Sequence, residues 1–418
     1  MNFDELWRDY ATYYPAIQTS TARYVVTDPA AALASGLTPR DLDFLWPETR
    51  LFRLTGALYS AGVVMERDPK NLAKPLSDMV GRRETAGSYI LADSGGFQLI
   101  GANLPVDDAT RLLVLRWAEK YCDAVLALDV PSAAVYRQGN HYYKKFALAL
   151  ADSLASHEFL SQNRIRDTLL RLAVLQGHTP AEAEAWLKKI ERFIGEFEGI
   201  AWGGQMRFDM RHVLRVLVRL ARKGLLGRLQ HLHFLGTSDI GYALLLTALK
   251  RALEEHLGRR IRVTFDTATP FLYGHVDLKA IVGVNWSPKR LRLHTVQFDK
   301  GTMGVADVVP MLRNSHVGQL LSMAELRRVP DRFLGWDTAG RVMLCNHNVE
   351  ALTQAIIDAN ILADLPDNTD HLIPDNVRRA RRVIRDIFTH KQPEREISFH
   401  SDALGLFARA QTQTDDLE

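Results

Sequence analysis

Cysteine is scarce in this sequence, with only Cys122 and Cys345 among 418 residues. The two lie far apart along the chain, and no CxxC pair is present to complete a structural zinc site. This excludes a framework of disulfide bonds and is typical of a protein from a reducing cytosol. We therefore expect a cytoplasmic fold that holds neither a disulfide nor a metal.

Long apolar runs and a strong excess of charge are also missing. No run of 18 apolar residues occurs, and the start, MNFDELWRDYATYY, is acidic and aromatic where a signal peptide would be basic and then apolar. We expect no contact with a membrane. The formal net charge of +3 permits a polyanionic partner without demanding one. Repeats and low-complexity segments are absent as well, and 47% hydrophobic and 24% charged residues indicate an ordinary globular chain.

From about Thr55 onward, short apolar runs alternate with longer segments of helical periodicity. The strand candidates are SYILAD (88–93), DAVLALD (123–129), LRLAVLQG (170–177), GIAWGG (199–204), HLHFLG (231–236) and RVTFDT (262–267). Apolar strands separated by amphipathic helices predict a parallel sheet. Six such units favour an α/β (β/α)8 TIM barrel, although the pattern leaves an open doubly wound sheet possible. We expect an N-terminal extension over 1–50, the barrel over 50–330 and a C-terminal helical region over 331–418.

Polar or glycine residues stand at the carboxyl ends of five of these runs. They are Asp93-Ser94-Gly95-Gly96, Asp129, Gln176-Gly177, Gly203-Gly204-Gln205 and Asp266. Any one aspartate could be a helix cap, and any one Gly-Gly pair only a tight connection. Since the strand ends of a barrel converge on one face, five together predict a single pocket.

These residue types suit chemistry at a sugar. Two carboxylates can cleave a bond at an anomeric carbon, one as nucleophile and one as proton carrier. A third carboxylate can accept hydrogen bonds from the N1–H and N2–H2 edge of guanine. Gln176 and the Gly203-Gly204 turn could serve the O6 and N7 acceptors, and Phe97 could stack on the purine. The residues alone therefore predict a barrel enzyme with carboxylate chemistry, for example a glycosidase.

The segment LADSGGFQLI resembles the DSGGFQ signature of the tRNA-guanine transglycosylases. Further landmarks follow in the family's order, and the resemblance covers roughly residues 50 to 360. They are ALDVPSA, LQGHTP, AWGGQM, HFLGTSD, TFDTATP and CNHNVEAL.

The resemblance implies roles for the residues of the expected pocket. Asp266 would be the nucleophile at C1′, and Asp93, with Ser94 beside it, the general acid and base. Asp129, Gln176, Gly203 and Gly204 would hold the base, and Phe97 would stack on it. No cofactor is implied.

The sequence departs from the tRNA-acting members of this family at two places. Those members bind zinc through a C-x-C-x-x-C cluster and a later histidine, whereas no cysteine lies between Asp266 and Cys345. Cys345 and His347 could supply two ligands, but we interpret them as a small buried residue and a core histidine. The segment after Asp266 also lacks the family's arginine.

These departures favour the branch of the family that places a preQ0-like 7-deazaguanine into DNA, working with possible helper proteins. One alternative is a tRNA-guanine transglycosylase that has lost its zinc. The other is a non-catalytic barrel subunit that only binds nucleic acid, although two clustered carboxylates argue against it.

Basic clusters that could hold a nucleic-acid backbone lie in several segments. One is Lys289, Arg290 and Arg292, and another is the C-terminal cluster of Arg378, Arg379, Arg381, Arg382 and Arg385. Any single cluster could be a solvated helix face. The density of the C-terminal cluster favours phosphate contact, so we predict that Arg378, Arg379, Arg381 and Arg382 bind nucleic acid.

Overall fold

Eight parallel strands close into a barrel in the computed structural model of this protein. The structure describes residues 8–27, 33–83, 87–101, 106–298, 312, 314–321, 323–326, 336–365 and 372–411. The strands, each paired with the next and the eighth with the first, are β1 Thr12–Ile17, β2 Gly56–Ser60, β3 Tyr89–Asp93, β4 Ala124–Leu126, β5 Leu170–Leu175, β6 Gly199–Trp202, β7 His231–Phe234 and β8 Arg262–Thr267. The predicted (β/α)8 barrel is confirmed.

All six predicted strands are present, but two further strands were missed. β1 lies inside the expected N-terminal extension and pairs with both β2 and β8. The barrel therefore begins near residue 12 and not near residue 50. Its strand, TYYPAI, is short and contains a proline, and the next barrel strand begins only at Gly56, so local periodicity does not reveal it. Barrel closure selects it, because β2 and β8 both need a partner.

Helices cover the outside of the barrel. In chain order they are α1 Thr19–Tyr24, α2 Ala61–Met65, α3 Gly96–Gly101, α4 Asp108–Tyr121, α5 Phe146–Asn163, α6 Pro180–Ile194, α7 Met210–Arg222 and α8 Ile240–Leu257. The α6 helix shows how the sequence specifies them. Thr179 and Glu182 form a capping box, Pro180 occupies the first turn, and Trp186 and Ile190 are fully buried.

A hairpin and a group of helices follow the last barrel strand. The remaining elements are α9 Thr269–Leu272, a π-helical turn Tyr273–Asp277, strands β9 Lys279–Asn285 and β10 Arg292–Gln297, and helices α10 His316–Leu320, α11 Met323–Leu326, α12 Thr338–Asp364, α13 Asp375–Asp386, α14 Pro393–Phe399, α15 Ser401–Leu404 and α16 Leu406–Gln411. The α12 helix packs on α8, α9 and β9, and α13 packs along α8. No helix in the described ranges is long and apolar enough to span a membrane.

Strand register determines which side chains meet at the carboxyl ends of the strands. Ser60, the last residue of β2, stands beside Asp93, the last residue of β3. On β7 and β8, His233 stands beside Thr264, one step below Asp266 on the same face of β8. The register thus sets Asp93 and Asp266 at the carboxyl ends of their strands, on one face of the barrel.

Candidate active site

Three aspartates from separate strand ends form a cluster at this face. Asp93 interacts electrostatically with Asp266 and also with Asp129. Asp129 and Asp266 are only 5% and 7% exposed. Carboxylates are seldom buried together without a purpose, because each raises the cost of ionising the other. The cluster brings together the three carboxylates that the strand ends predicted.

Asp266 is held through one of its two carboxylate oxygens. Its Oδ1 accepts hydrogen bonds from the backbone N–H of Gly236, at 2.9 Å, and from His233 Nε2, at 3.1 Å. Its backbone carbonyl accepts from Thr237 N–H at 2.7 Å. Both hydrogen bonds that the described structure gives this carboxylate fall on Oδ1. Oδ2 is therefore the oxygen of this carboxylate that no described hydrogen bond engages.

Asp93 has the environment of a proton carrier. Its carboxylate keeps some exposure at the barrel mouth, and the nearby Ser60 hydroxyl and Gly95 N–H favour its ionised form. Burial raises its pKa above the ordinary value, and the nearby Asp266 carboxylate adds to that rise. A carboxyl group with a raised pKa keeps its proton to a higher pH than an ordinary aspartate, which favours a role as proton donor to a leaving group.

Asp129 and Gln176 form a direct pair. Gln176 Nε2 donates to Asp129 Oδ2 at 2.7 Å, and Gln176 Oε1 accepts from the backbone N–H and the hydroxyl of Ser132, at 3.3 and 3.2 Å. Burial raises the pKa of Asp129 to about 7, and the hydrogen bond from Gln176 opposes that rise. The pair presents a carboxylate and a carboxamide side by side, which suits the polar edge of a purine.

The Gly203-Gly204 turn leaves room for this pair. A Cβ on Gly203 would stand 2.4 Å from Gln176 Nε2, so a side chain there would displace the carboxamide. Gly204 has a φ of +62°, in the left-handed region that glycine favours. Its Cβ would stand 2.6 Å from both Ser132 Oγ and the Gly177 carbonyl. The turn therefore lies against the Asp129–Gln176 pair, as the strand ends predicted.

Ser94 and Phe97 follow Asp93 in the DSGGFQ segment. Ser94 is fully buried, and its hydroxyl has no hydrogen-bond partner among the described residues. A buried hydroxyl without a partner is costly and suits a site that a substrate completes. Phe97 lies in helix α3, but its side chain is outside the described part of the structure.

Three residues near the cluster were not identified from the sequence. His233 contacts Asp266, and Ser60 contacts Asp93. The alternation in HLHF, which sets both histidines of β7 on one face, could have indicated His233. Arg207 joins two loops of the mouth, because its guanidinium donates to the carbonyls of Gly204 and, at 3.2 Å, Gly236. No local pattern marked this arginine.

The C-terminal arginine cluster has a different setting from the one expected. Arg381 is buried and pairs with Asp364 at 2.8 Å, and Arg379 pairs with Asp402 at 2.8 Å. Arg378 pairs with Asp375 at 3.3 Å, and Arg382 is exposed. The Arg381 guanidinium joins helices α12 and α13, and nucleic-acid binding by Arg378, Arg379, Arg381 and Arg382 stays a prediction. The α13 helix also lies along α8 on the barrel flank.

A second basic group lies near the strand ends. Arg290 and Arg292 interact electrostatically with Asp239, which precedes α8 just after the end of β7. Lys289 and Arg290 line a small cavity together with Asp239. Lys289, Arg290, Arg292 and the neighbouring Trp286 are all exposed. We call residues 279–297 the basic hairpin, because its tip carries these cations.

Cys345 and His347 occupy the interior between α12 and the basic hairpin. Cys345 packs against Gly274, and its thiol faces the Phe271 carbonyl at 3.7 Å. His347 contacts Ser315 Oγ through Nδ1 at 2.6 Å and the Ile281 carbonyl through Nε2 at 2.9 Å. Both side chains are fully buried, as we interpreted them. Among the described residues, no group of three or more His, Cys, Asp or Glu side chains could hold a metal.

Fold and site define a (β/α)8 barrel with three carboxylates and a carboxamide at the carboxyl ends of its strands. In barrels of this type, that face carries the active site when the protein is an enzyme. Neither models of protein families nor curated proteins match this chain in a sequence comparison. Function is therefore argued from the geometry of the site and from the resemblance at DSGGFQ.

Proposed function

We propose that this protein is a guanine transglycosylase that exchanges guanine in DNA for a 7-deazaguanine base, preQ0-like in kind. The observation that carries the proposal is the cluster of Asp93 with the buried Asp129 and Asp266 at the barrel mouth. Asp266 is anchored by two hydrogen bonds, Asp93 has a raised pKa that suits a proton carrier, and Asp129 is paired with the Gln176 carboxamide. An exchange reaction needs these three different environments. The resemblance at DSGGFQ supports the same assignment.

The first half of the reaction removes guanine. Asp266 Oδ2 attacks C1′, an ester bond forms, and the C1′–N9 bond breaks with its electron pair going to the base. Asp93 delivers a proton to the departing base and becomes a carboxylate. The raised pKa of Asp93 supports this role, because the group must be protonated when the bond breaks.

The second half inserts the new base. The incoming 7-deazaguanine gives its N9 proton to the Asp93 carboxylate, and its nitrogen attacks C1′ as the ester bond to Asp266 breaks. Two displacements restore the original anomeric configuration and regenerate both carboxyl groups. Water has to be excluded between the two halves, since hydrolysis of the ester would leave an abasic site.

The Asp129–Gln176 pair would recognise the base. Asp129 would accept from N1–H and N2–H2 of guanine, while Gln176 and the Gly203-Gly204 turn face O6 and N7. Guanine would first have to take the place of the hydrogen bond between Gln176 and Asp129, because Asp129 Oδ2 accepts it. The buried Ser94 hydroxyl would gain a partner when the base enters.

DNA is the proposed macromolecular substrate. The segment from Asp266 to Gly274, through α9, carries no basic side chain to grip an anticodon loop. The basic hairpin instead places Lys289, Arg290 and exposed Trp286 near the strand ends, where cations can meet phosphates and an indole can stack on a base. The target guanine must be flipped out of the duplex, which helper proteins could assist in the cytoplasm.

Covalent trapping tests the proposal. The protein is incubated with guanine-containing duplex DNA, with single-stranded DNA and with tRNA, and a denaturation-resistant complex is sought with each. We expect an adduct with DNA that disappears in Asp266→Asn and persists in Asp43→Asn, a buried carboxylate outside the cluster. An adduct with tRNA alone would establish the rival tRNA enzyme. Binding without any adduct would favour a non-catalytic barrel.

A further inference from the structure

A column of polar side chains runs through the interior of this barrel. On β7 and β8, His231, His233, Thr264 and Asp266 share one face, and the first three are fully buried. Tyr89 on β3 contacts His231, although β3 and β7 are not neighbours around the barrel. That contact therefore crosses the interior. Barrel interiors are usually filled by branched apolar side chains, so a polar column needs a reason.

The column is a continuous chain of hydrogen bonds that ends on the nucleophile. Tyr89 Oη lies 3.2 Å from His231 Nδ1, and His231 Nε2 lies 2.6 Å from Thr264 Oγ1. Thr264 Oγ1 lies 2.7 Å from His233 Nδ1, and His233 Nε2 lies 3.1 Å from Asp266 Oδ1. We call Tyr89, His231, Thr264 and His233 the relay.

The Asp266 end of the relay determines the direction of its hydrogen bonds. An ionised Asp266 can only accept, so His233 Nε2 carries a proton. A neutral His233 then accepts from the Thr264 hydroxyl through Nδ1, and Thr264 accepts from His231 Nε2–H. His231 Nδ1 is left to accept from the Tyr89 hydroxyl, while the Arg262 guanidinium lies over the Tyr89 ring, 3.8 Å from its centroid.

We propose that the relay positions Asp266 for nucleophilic attack by fixing His233 as the neutral tautomer with its proton on Nε2. Together with the Gly236 N–H, His233 then holds Oδ1 and leaves Oδ2 to meet C1′. His233 is a positioning residue, since it acts through Asp266. The inference rests on the proposed function for the role of Asp266, while the tautomer can be measured without any reaction.

Burial favours the uncharged form of His231. It lowers the pKa of His231 well below the ordinary value, and Arg262 and His233 lower it further. Other groups that interact with the column include Tyr13 on β1, Asp93 on β3, Asp123 just before β4, and Tyr14, whose ring packs on both Tyr89 and His231. A neutral His231 has one donor and one acceptor nitrogen, as the chain requires.

The tautomer is tested by nitrogen NMR of the full-length protein with ¹⁵N-labelled histidine at pH 7. We expect His231 and His233 both to carry their proton on Nε2 and none on Nδ1. In Thr264→Val the Nδ1 resonance of His233 should move, because that nitrogen loses its donor, whereas Thr264→Ser should keep it near the wild-type position. A doubly protonated His233, or one protonated on Nδ1, would overturn the relay whether or not the protein is a transglycosylase.

The functional effect is tested by single-turnover adduct formation on DNA across a pH series. We expect Thr264→Val to lower the adduct rate constant at saturating DNA about 10- to 100-fold, the usual cost of losing a group that orients a catalytic residue. The acid limb of its pH profile should move to higher pH, with DNA affinity unchanged and Thr264→Ser close to wild type. Tyr89→Phe, which removes only the far donor, gives a second variant if Thr264→Val does not fold.

Two outcomes separate the relay from the proposed function. A Thr264→Val protein with the wild-type rate and pH profile contradicts the positioning role. Absence of any adduct in the wild-type protein contradicts the proposed function instead, and the tautomer measurement still decides whether the relay exists.

Discussion

Asp93 and Asp129 at the barrel mouth are costly to ionise, because their surroundings disfavour a charged carboxylate. Burial raises the pKa of Asp93 and brings that of Asp129 to about 7. An amide or an apolar side chain at either position would remove this cost. Groups whose pKa is displaced by burial and by a specific charged neighbour cluster at functional sites, which is the physical argument for a catalytic pocket here.

We expect Asp129→Asn to stabilise the fold in a pH-dependent way. The folded pKa of Asp129, about 7, exceeds that of an unfolded chain, about 3.9, so its ionisation penalty is complete above pH 7 and vanishes as pH falls toward 4. Asparagine lacks the penalty. The gain in free energy of unfolding should therefore be largest above pH 7 and shrink by up to about 1.4 kcal/mol per pH unit below it. Urea denaturation at several pH values measures it, and a gain independent of pH would contradict the argument.

We expect Gly96→Ala to destabilise the mouth. An ideal Cβ on Gly96 would stand 2.2 Å from the Asp129 carbonyl oxygen, so the backbone beside Asp129 has to move. Overpacking of this kind costs about 1–3 kcal/mol. Gly101→Ala is the matched control at the other end of α3, because the nearest atom to its Cβ lies 4.0 Å away. Thermal unfolding of the two variants should differ clearly, and equal midpoints would show that the close approach is absent in solution.

At the scale of elements, one carboxylate links two of the C-terminal helices to a barrel helix. Asp364 at the end of α12 pairs with Arg251 of α8 at 2.6 Å and with Arg381 of α13 at 2.8 Å. Arg381 is only 8% exposed, so its charge depends on this partner. Some arginines of the C-terminal cluster therefore stabilise the fold, and only the others are available to a ligand.

We expect Asp364→Asn to lower the free energy of unfolding by about 1–3 kcal/mol, because it leaves the buried Arg381 guanidinium without a charged partner. Asp358→Asn on the same helix is the control, since Asp358 is exposed and should cost less than about 0.5 kcal/mol. Chemical denaturation of both variants gives the comparison. Equal losses would mean that the pair with Arg381 contributes nothing measurable.

At the scale of the whole molecule, positive charge is distributed unevenly although the net charge is only +3. The barrel mouth gathers carboxylates, and the basic hairpin brings cations close to it. A polyanion drawn to the hairpin would thus be delivered to the face where the aspartates lie. Its phosphates would remain at the hairpin while one base enters the cluster.

We expect the double variant Lys289→Ala/Arg290→Ala to weaken DNA binding and to reduce the salt dependence of that binding. Each lost phosphate contact should lower the slope of log K against log salt by about 0.9. Lys188→Ala/Lys189→Ala, on the exposed face of α6, removes the same charge and should leave the slope unchanged. Fluorescence anisotropy with a duplex oligonucleotide at several salt concentrations measures both. Identical slopes for the Lys289→Ala/Arg290→Ala variant and the wild-type protein would show that the basic hairpin does not contact DNA phosphates.

The sequence by itself determined six barrel strands and the polar residues at their ends. Both follow from local periodicity, because a buried parallel strand is apolar until the chain leaves the sheet. It also determined that Asp93, Asp129, Gln176 and Asp266 lie at one face, since the ends of parallel strands in a barrel converge.

Only the tertiary structure decided the rest. β1 is a barrel strand because it closes the sheet between β2 and β8. Arg381 differs from the neighbouring arginines because it is buried and pairs with Asp364. The link from Tyr89 through His231 to His233 and Asp266 spans residues on β3, β7 and β8. Such contacts cross the barrel between distant parts of the chain, and no local pattern encodes them, because they exist only when the sheet closes.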